Sequence, residues 1–173
     1  MGWRFLITTG WAALSWVAAP ASADAAAAPA EKTHCQMGET VVLSCQITGR
    51  KIVSLCSSGP ATAPQLAYRF GTGRRIELVY PAPGNAGAFY RTSAPLIGGG
   101  IATVGFSRGG YDYSVYAKSS QPGGAAGGGG GDPEFEDGLI VSRGGKRLRT
   151  LVCADGGAGF RQSIDWLPRK AAN

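Results

Sequence analysis

The sequence predicts an all-β domain: an antiparallel hairpin meander forming a curled sheet or small barrel of about eight or nine strands, tied by disulfides. Three observations carry this. Apolar and polar residues alternate at period 2 through residues 40–81, 101–117 and 138–153. Glycine turns interrupt the alternation, two of them as Gly109-Gly110 and Gly144-Gly145, which suit two-residue hairpin loops. Finally, Cys35, Cys45, Cys56 and Cys153 all follow an export signal, so two disulfides are expected in an oxidising compartment.

The signal is read from the basic start at Arg4, the apolar run 5–19 and the small-residue site Ala21-Ser22-Ala23, with cleavage expected before Asp24. The run is shorter than the roughly 18 to 20 residues that span a bilayer, and it holds Thr8, Thr9 and Gly10. No transmembrane segment is therefore expected in the mature chain. A lipid anchor would need a cysteine where Asp24 stands. The expected location is the periplasm or the exterior. Residues 24–34 have too little apolar bulk to fold and read as a flexible leader. Residues 35–168 form a single β domain with a glycine-rich loop at 119–133, and residues 169–173 form a tail.

In order along the domain, 41–47 and 52–56 make the first hairpin. A Gly49-Arg50 loop suits the turn chemistry and leaves Cys45 diagonal to Cys56. An Arg50-Lys51 loop would bring the cysteines opposite each other, but asks two non-glycine residues for unfavourable dihedrals. The first register is preferred, which sends both cysteines to other partners, Cys35 and Cys153, in either of two pairings. Residues 57–64 are a loop. Strands at 65–70 and 75–80 follow, around a turn at 71–74, and a short strand is expected at 88–92. In the hairpin 101–117, a Gly109-Gly110 loop sets Phe106 against Tyr113, Val104 against Val115 and Ala102 against Ala117. Ser107 and Thr103 then oppose Asp112 and Tyr116 on the other, mostly polar face. Strands 138–143 and 146–153 make the last hairpin. At the end of the domain, Ile164-Asp165-Trp166-Leu167 before Pro168 is expected to hold a short helical turn that packs Trp166 and Leu167 on the sheets.

Few residues offer chemistry. The single histidine, His34, lies at the edge of the leader, away from any nucleophile pattern, and the scattered cysteines do not form a zinc motif. The glycine run lacks the Lys-Ser/Thr and helix of a phosphate loop. Asp132, Glu134, Glu136 and Asp137 could supply paired carboxylates, but read as a solvated loop. The expectation is thus a non-enzymatic protein without cofactor or metal. Tyr111, Tyr113 and Tyr116 read as core and sheet surface.

The chain has 17 Lys and Arg against 11 Asp and Glu, a net charge of +6, which favours anionic partners and, for an exported chain, argues against nucleic acid. Cations gather at the expected turns: Arg50 and Lys51, Arg74 and Arg75, Arg108, and Arg143, Lys146 and Arg147. Turn tips collected at one end would form a cationic rim for a protein partner or an anionic cell-wall polymer.

Cys35-x2-Gly38-Glu39, Val53-Ser54-Leu55-Cys56, Tyr68-Arg69-Phe70-Gly71, the block from Ile76 to Pro81, Gly109-Gly110-Tyr111 and Val152-Cys153 together resemble a family of small exported proteins of Gram-negative bacteria. That family has no assigned function, and the glycine-rich insert is a departure from it. A weaker resemblance is to the periplasmic and membrane-bound lysozyme inhibitors, which place a Ser-Gly-x-x-Tyr loop in the lysozyme active site. The nearest match is Ser107-Arg108-Gly109-Gly110-Tyr111, with Arg108 where those proteins have glycine. This resemblance implies an inhibitor of a cell-wall hydrolase that uses this turn. The alternative is an envelope component that binds anionic glycan or surface polymer through residues such as Arg74 and Arg75.

Overall fold

Alternating sequence becomes two antiparallel meanders in the computed structural model, which describes residues 1, 32–122, 131–154 and 156–171. The expected export signal beyond Met1, most of the expected leader and the centre of the glycine-rich run lie outside the described residues. The chain divides into Met1–Ala30 and Glu31–Asn173, and every strand belongs to the second unit. One sheet has the order β1 (Thr40–Ile47), β2 (Lys51–Ser58), β3 (Gln65–Thr72) and β4 (Arg75–Tyr80). The other has β5 (Tyr90–Leu96), β6 (Gly99–Arg108), β7 (Tyr111–Ser120), β8 (Glu134–Arg143) and β9 (Lys146–Val152). The all-β fold is as expected, in the form of two curled sheets around one core and not a closed barrel. Among the described residues there is no α-helix, and none is long and apolar enough to cross a membrane.

The core takes Val42, Leu43, Val53, Leu55 and Tyr68 from the first sheet and Val104, Phe106, Val115 and Leu139 from the second. Each large apolar side chain buried this way contributes about 1.5 to 3 kcal/mol. Phe106 is the joint. Its ring lies between Tyr80, 4.2 Å away between centroids, and Tyr113, 4.9 Å away, both stacked, with Tyr68 tilted against it at 4.9 Å. The Tyr68 hydroxyl is buried with no hydrogen-bond partner among the described residues. Burial, and secondarily Tyr113 beside it, pushes its pKa far up, so the phenol stays protonated.

The β6–β7 register is the expected one, residue for residue, from Ala102 opposite Ala117 to Ser107 opposite Asp112. The first hairpin differs. Its loop is three residues, Thr48-Gly49-Arg50, with Gly49 at φ 79° and Arg50 at φ 60°, so Ile47 pairs with Lys51 and Cys45 with Val53. Moving the pairing by one residue turns a side chain to the opposite face. Cys45 therefore shares a face with Val53 and Leu55 towards the core, while Cys56 lies with Ser54 on the outer face. The hairpin cysteines do bond outwards: Cys35 to Cys56, and Cys45 to Cys153.

Other boundaries shift. The second turn is tighter than expected: Gly71 and Thr72 belong to β3, and a bulge between Phe70 and Gly71 absorbs the change. The short strand expected at 88–92 runs Tyr90–Leu96. Residues 32–34, read as leader, lie on the outer face of β1 and β2. There the His34 amide donates to Ser54 Oγ at 2.9 Å and Ser44 Oγ donates to the Lys32 carbonyl at 3.1 Å. The outer face of the second sheet is also better covered than expected. Thr103 and Tyr116 are buried, because the Tyr90 ring folds over Gly105 opposite it and the Tyr116 ring over Gly138.

Chain ends cover two sheet edges, which blunts them against pairing with other chains. The Ala154 and Arg161 amides donate to Gln46 and Val42 in β1. In the tail, the Arg91 amide of β5 donates to the Pro168 carbonyl and the Lys170 amide to that of Arg91. The expected turn before Pro168 closes with the Leu167 amide donating to Ile164. Leu167 enters the core as expected, but Trp166 does not pack down: it is 43% exposed.

Candidate functional site: the paired glycine turns

Two hairpins carry the same four residues, Ser107 to Gly110 and Ser142 to Gly145, and the structure sets them side by side. Gly109 and Gly110 have φ of 60° and 77°, Gly144 and Gly145 have 55° and 76°. Positive φ at both central positions is the turn that matches strand twist, and glycine adopts it without a Cβ clash. Pairing of β7 with β8 sets Asp112 opposite Ser142, so the two turns emerge at the same end of the sheet.

Around them, the Arg143 guanidinium lies 5.1 Å from the centre of the Tyr111 ring, within cation–π range. Ser107 Oγ donates to Asp112 Oδ1 at 2.5 Å, tying the neck of the first turn. Arg108 reaches across to the other sheet and donates to the Val79 carbonyl at 2.5 Å, so part of its donor set is spent on holding the sheets together. Arg143, Lys146 and Arg147 are exposed and have no acidic partner among the described residues. The result is one end of the sheet with two adjoining glycine turns, an aromatic ring and exposed cations.

The other expected cations are elsewhere. Arg50 and Arg74 border a groove at the β1–β2 and β3–β4 turns, with Lys32 on its rim and Arg75 next in sequence. Lys51 is occupied by Glu77 and lies 5.7 Å from the centre of the Phe70 ring. Ile47, beside the first turn, bridges to Cys153, at the end of β9 remote from the Gly144-Gly145 turn. Seven strand residues separate them, about 20 Å. The turn-tip cations therefore form two groups at opposite ends, not a single rim.

The acidic segment is not the solvated loop its composition suggests. β8 begins at Glu134, so Glu136 and Asp137 point to opposite faces. Glu136 accepts a hydrogen bond from the Tyr116 hydroxyl at 2.7 Å, and Asp137, buried, accepts from the Gly159 amide at 2.7 Å. Burial, with the Glu136 hydrogen bond and the Glu136 and Asp137 charges behind it, drives the Tyr116 pKa well up. Exposed Asp132 lies just before the strand.

Sequence reasoning missed the part-buried pair Arg69–Glu39. Arg69 sits among buried neighbours and makes two parallel hydrogen bonds to Glu39, 2.6 and 2.8 Å long. Burial pushes the Glu39 carboxyl up, but the Arg69 hydrogen bonds, the Gln36 amide and the Arg69 charge outweigh it, so it ionises below its ordinary value. The available signal was a charged residue inside the apolar block Tyr68 to Phe70. Cys35, Cys56 and Glu39 come together in a geometry that could suggest a metal site. However, the sulfurs are bonded to each other and the carboxylate is held by Arg69, so the donors are spent.

No protein-family model, curated protein or solved structure matches the chain. The functional reading therefore rests on its own geometry.

Proposed function

We propose that the chain is an exported, non-enzymatic binding protein of the bacterial envelope, akin to the small exported proteins its Tyr-Arg-Phe-Gly and Glu-Leu-Val-Tyr-Pro blocks resemble. In its most concrete version it inhibits a cell-wall hydrolase. The observation that carries the reading is the pairing of the two Ser-Arg-Gly-Gly turns beside Tyr111, with Arg143 over its ring and Arg143 and Lys146 without an acidic partner among the described residues. Glycosidases of the wall work with two carboxylates in a cleft. A cationic tip with an aromatic ring complements such a cleft in sign. The two disulfides suit the oxidising space outside the cytoplasm, and the periplasm is the compartment we propose.

Inhibition assays against several lysozyme types test this. Wild type is expected to inhibit at least one, with Tyr111→Ala and Arg143→Ala weaker by on the order of ten-fold each. Absence of inhibition by wild type rejects the inhibitor version. The second reading, binding of an anionic glycan or surface polymer, is favoured by Arg50, Arg74 and Arg75 at the opposite end, exposed and without acidic partners among the described residues. It predicts salt-sensitive retention on peptidoglycan or lipopolysaccharide that is lost in Arg74→Ser/Arg75→Ser.

A further inference from the structure

We propose that the groove beside Trp166 binds an uncharged pyranose unit of a glycan. The groove measures about 780 Å³ and lies between the loop before β3, the loop joining β4 to β5 and the turn before Pro168. That volume falls in the roughly 300 to 1,000 Å³ range of ligand clefts. None of its lining side chains is charged.

Trp166 is the exposed aromatic surface here, and its ring is fixed by donation of Nε1–H to the Ser163 carbonyl at 3.1 Å. Phe89, by contrast, is 7% exposed and belongs to the core, stacked edge-on against Tyr80. Gln65 and Asn85 also line the groove, and their side-chain amides have no hydrogen-bond partner among the described residues. A pyranose has a C–H-rich face that suits the electron-rich face of an indole, and a rim of hydroxyls that donate and accept. An amide offers both a donor and an acceptor to such a rim.

A proline-rich peptide is the rival occupant of an aromatic and proline-walled cleft. The lining favours the sugar, because one exposed indole and two side-chain amides in the same groove match one ring with polar edges. The absence of charge also separates this site from the cationic turns. Pro81 on the groove wall is two residues from Val79, whose carbonyl Arg108 holds, so groove and paired turns share one end of the domain. The proposal does not depend on the turns binding anything.

The test uses the full chain labelled with 15N at tryptophan, whose members are Trp3, Trp11, Trp16 and Trp166. The Trp166 indole N–H resonance is the one missing from Trp166→Phe. Chitotetraose, cellotetraose and maltotetraose are titrated in turn, with decaproline as the peptide probe. At least one oligosaccharide is expected to shift that resonance saturably, equally at low and high salt. Affinity measured by calorimetry should fall on the order of ten-fold in Trp166→Ala, and also in Gln65→Ala/Asn85→Ala, whose exposed side chains can be removed without touching the core. No shift with any of the three sugars overturns the proposal. So does an equal or exclusive response to decaproline, or undiminished sugar binding by both variants.

Discussion

In the five-stranded sheet the register follows from two-residue glycine turns and from tyrosine rings laid over facing glycines. In the four-stranded sheet it is fixed by links between residues far apart in the chain. Tyr90 over Gly105 and Tyr116 over Gly138 are direct cross-strand pairs, and the Gly109-Gly110 turn sets which residues of β6 and β7 oppose, whereas the β8–β9 hairpin has a bulge between Val141 and Ser142, just behind its Gly144-Gly145 turn. The first sheet has bulges after Val41 and Phe70, a three-residue turn, the Cys35–Cys56 link, the Arg69–Glu39 pair and an N-terminal strap. One sheet is specified locally, the other by closure of long loops.

The largest effect should come from removing the long-range links. Cys45–Cys153 spans 108 residues and Cys35–Cys56 spans 21. In the chain-entropy account, a loop of the first size contributes about 4 to 5 kcal/mol and one of the second about 3 kcal/mol. Urea unfolding of Cys45→Ala/Cys153→Ala and Cys35→Ala/Cys56→Ala should show that order, and the opposite order breaks the comparison.

Next is the ion pair. Arg69→Ala leaves the half-buried Glu39 carboxylate without its partner, at a cost of about 2 kcal/mol. Combining it with Glu39→Gln should recover much of that loss, since the pair acts as a unit. The acid dependence has a definite sign. Glu39 ionises below its ordinary value of 4.5, so the stability it adds is present above that pH and is lost as pH falls through the lower folded value. The gap in unfolding free energy between wild type and Glu39→Gln should narrow as the solution is acidified below about pH 4.5. A gap that stays constant down to strongly acid pH contradicts the role given to the pair.

The same division explains what could be read from the sequence. The β6–β7 pairing was legible in full because Gly109-Gly110 admits one favourable loop, and the alternation of Val104, Phe106, Val115 and Tyr113 agrees with it. The β1–β2 pairing was not. Arg50 takes a left-handed φ of 60° that residue preference argues against, and Val41 and Leu43 flank a bulge that alternation hides. That one-residue difference decides the face of each cysteine. Outward bonding of Cys45 and Cys56 was nonetheless expected, for a reason the structure replaces: they lie on opposite faces. Extension of β8 back to Glu134 was hidden by the acidic composition of Glu134, Glu136 and Asp137, residues whose partners Tyr116 and Gly159 lie elsewhere in the chain. The Trp166 groove was illegible because its walls come from three separate loops.

The smallest effect separates the two modes of specification most sharply. Gly110→Ala and Gly49→Ala each force a side chain into a left-handed backbone, at φ 77° and 79°, with no other atom within 4 Å of the new Cβ. Each should cost about 1 kcal/mol. Where that cost is felt should differ. The β6–β7 register depends on its turn, so Gly110→Ala should raise amide hydrogen exchange along β6 and β7 well beyond the turn itself. The β1–β2 register is also held by both disulfides and by the strap on Ser54, so Gly49→Ala should leave exchange in those strands unchanged outside residues 48–50. Equal spreading of exchange in the two variants would mean that the turns, and not the distant links, set register in both sheets.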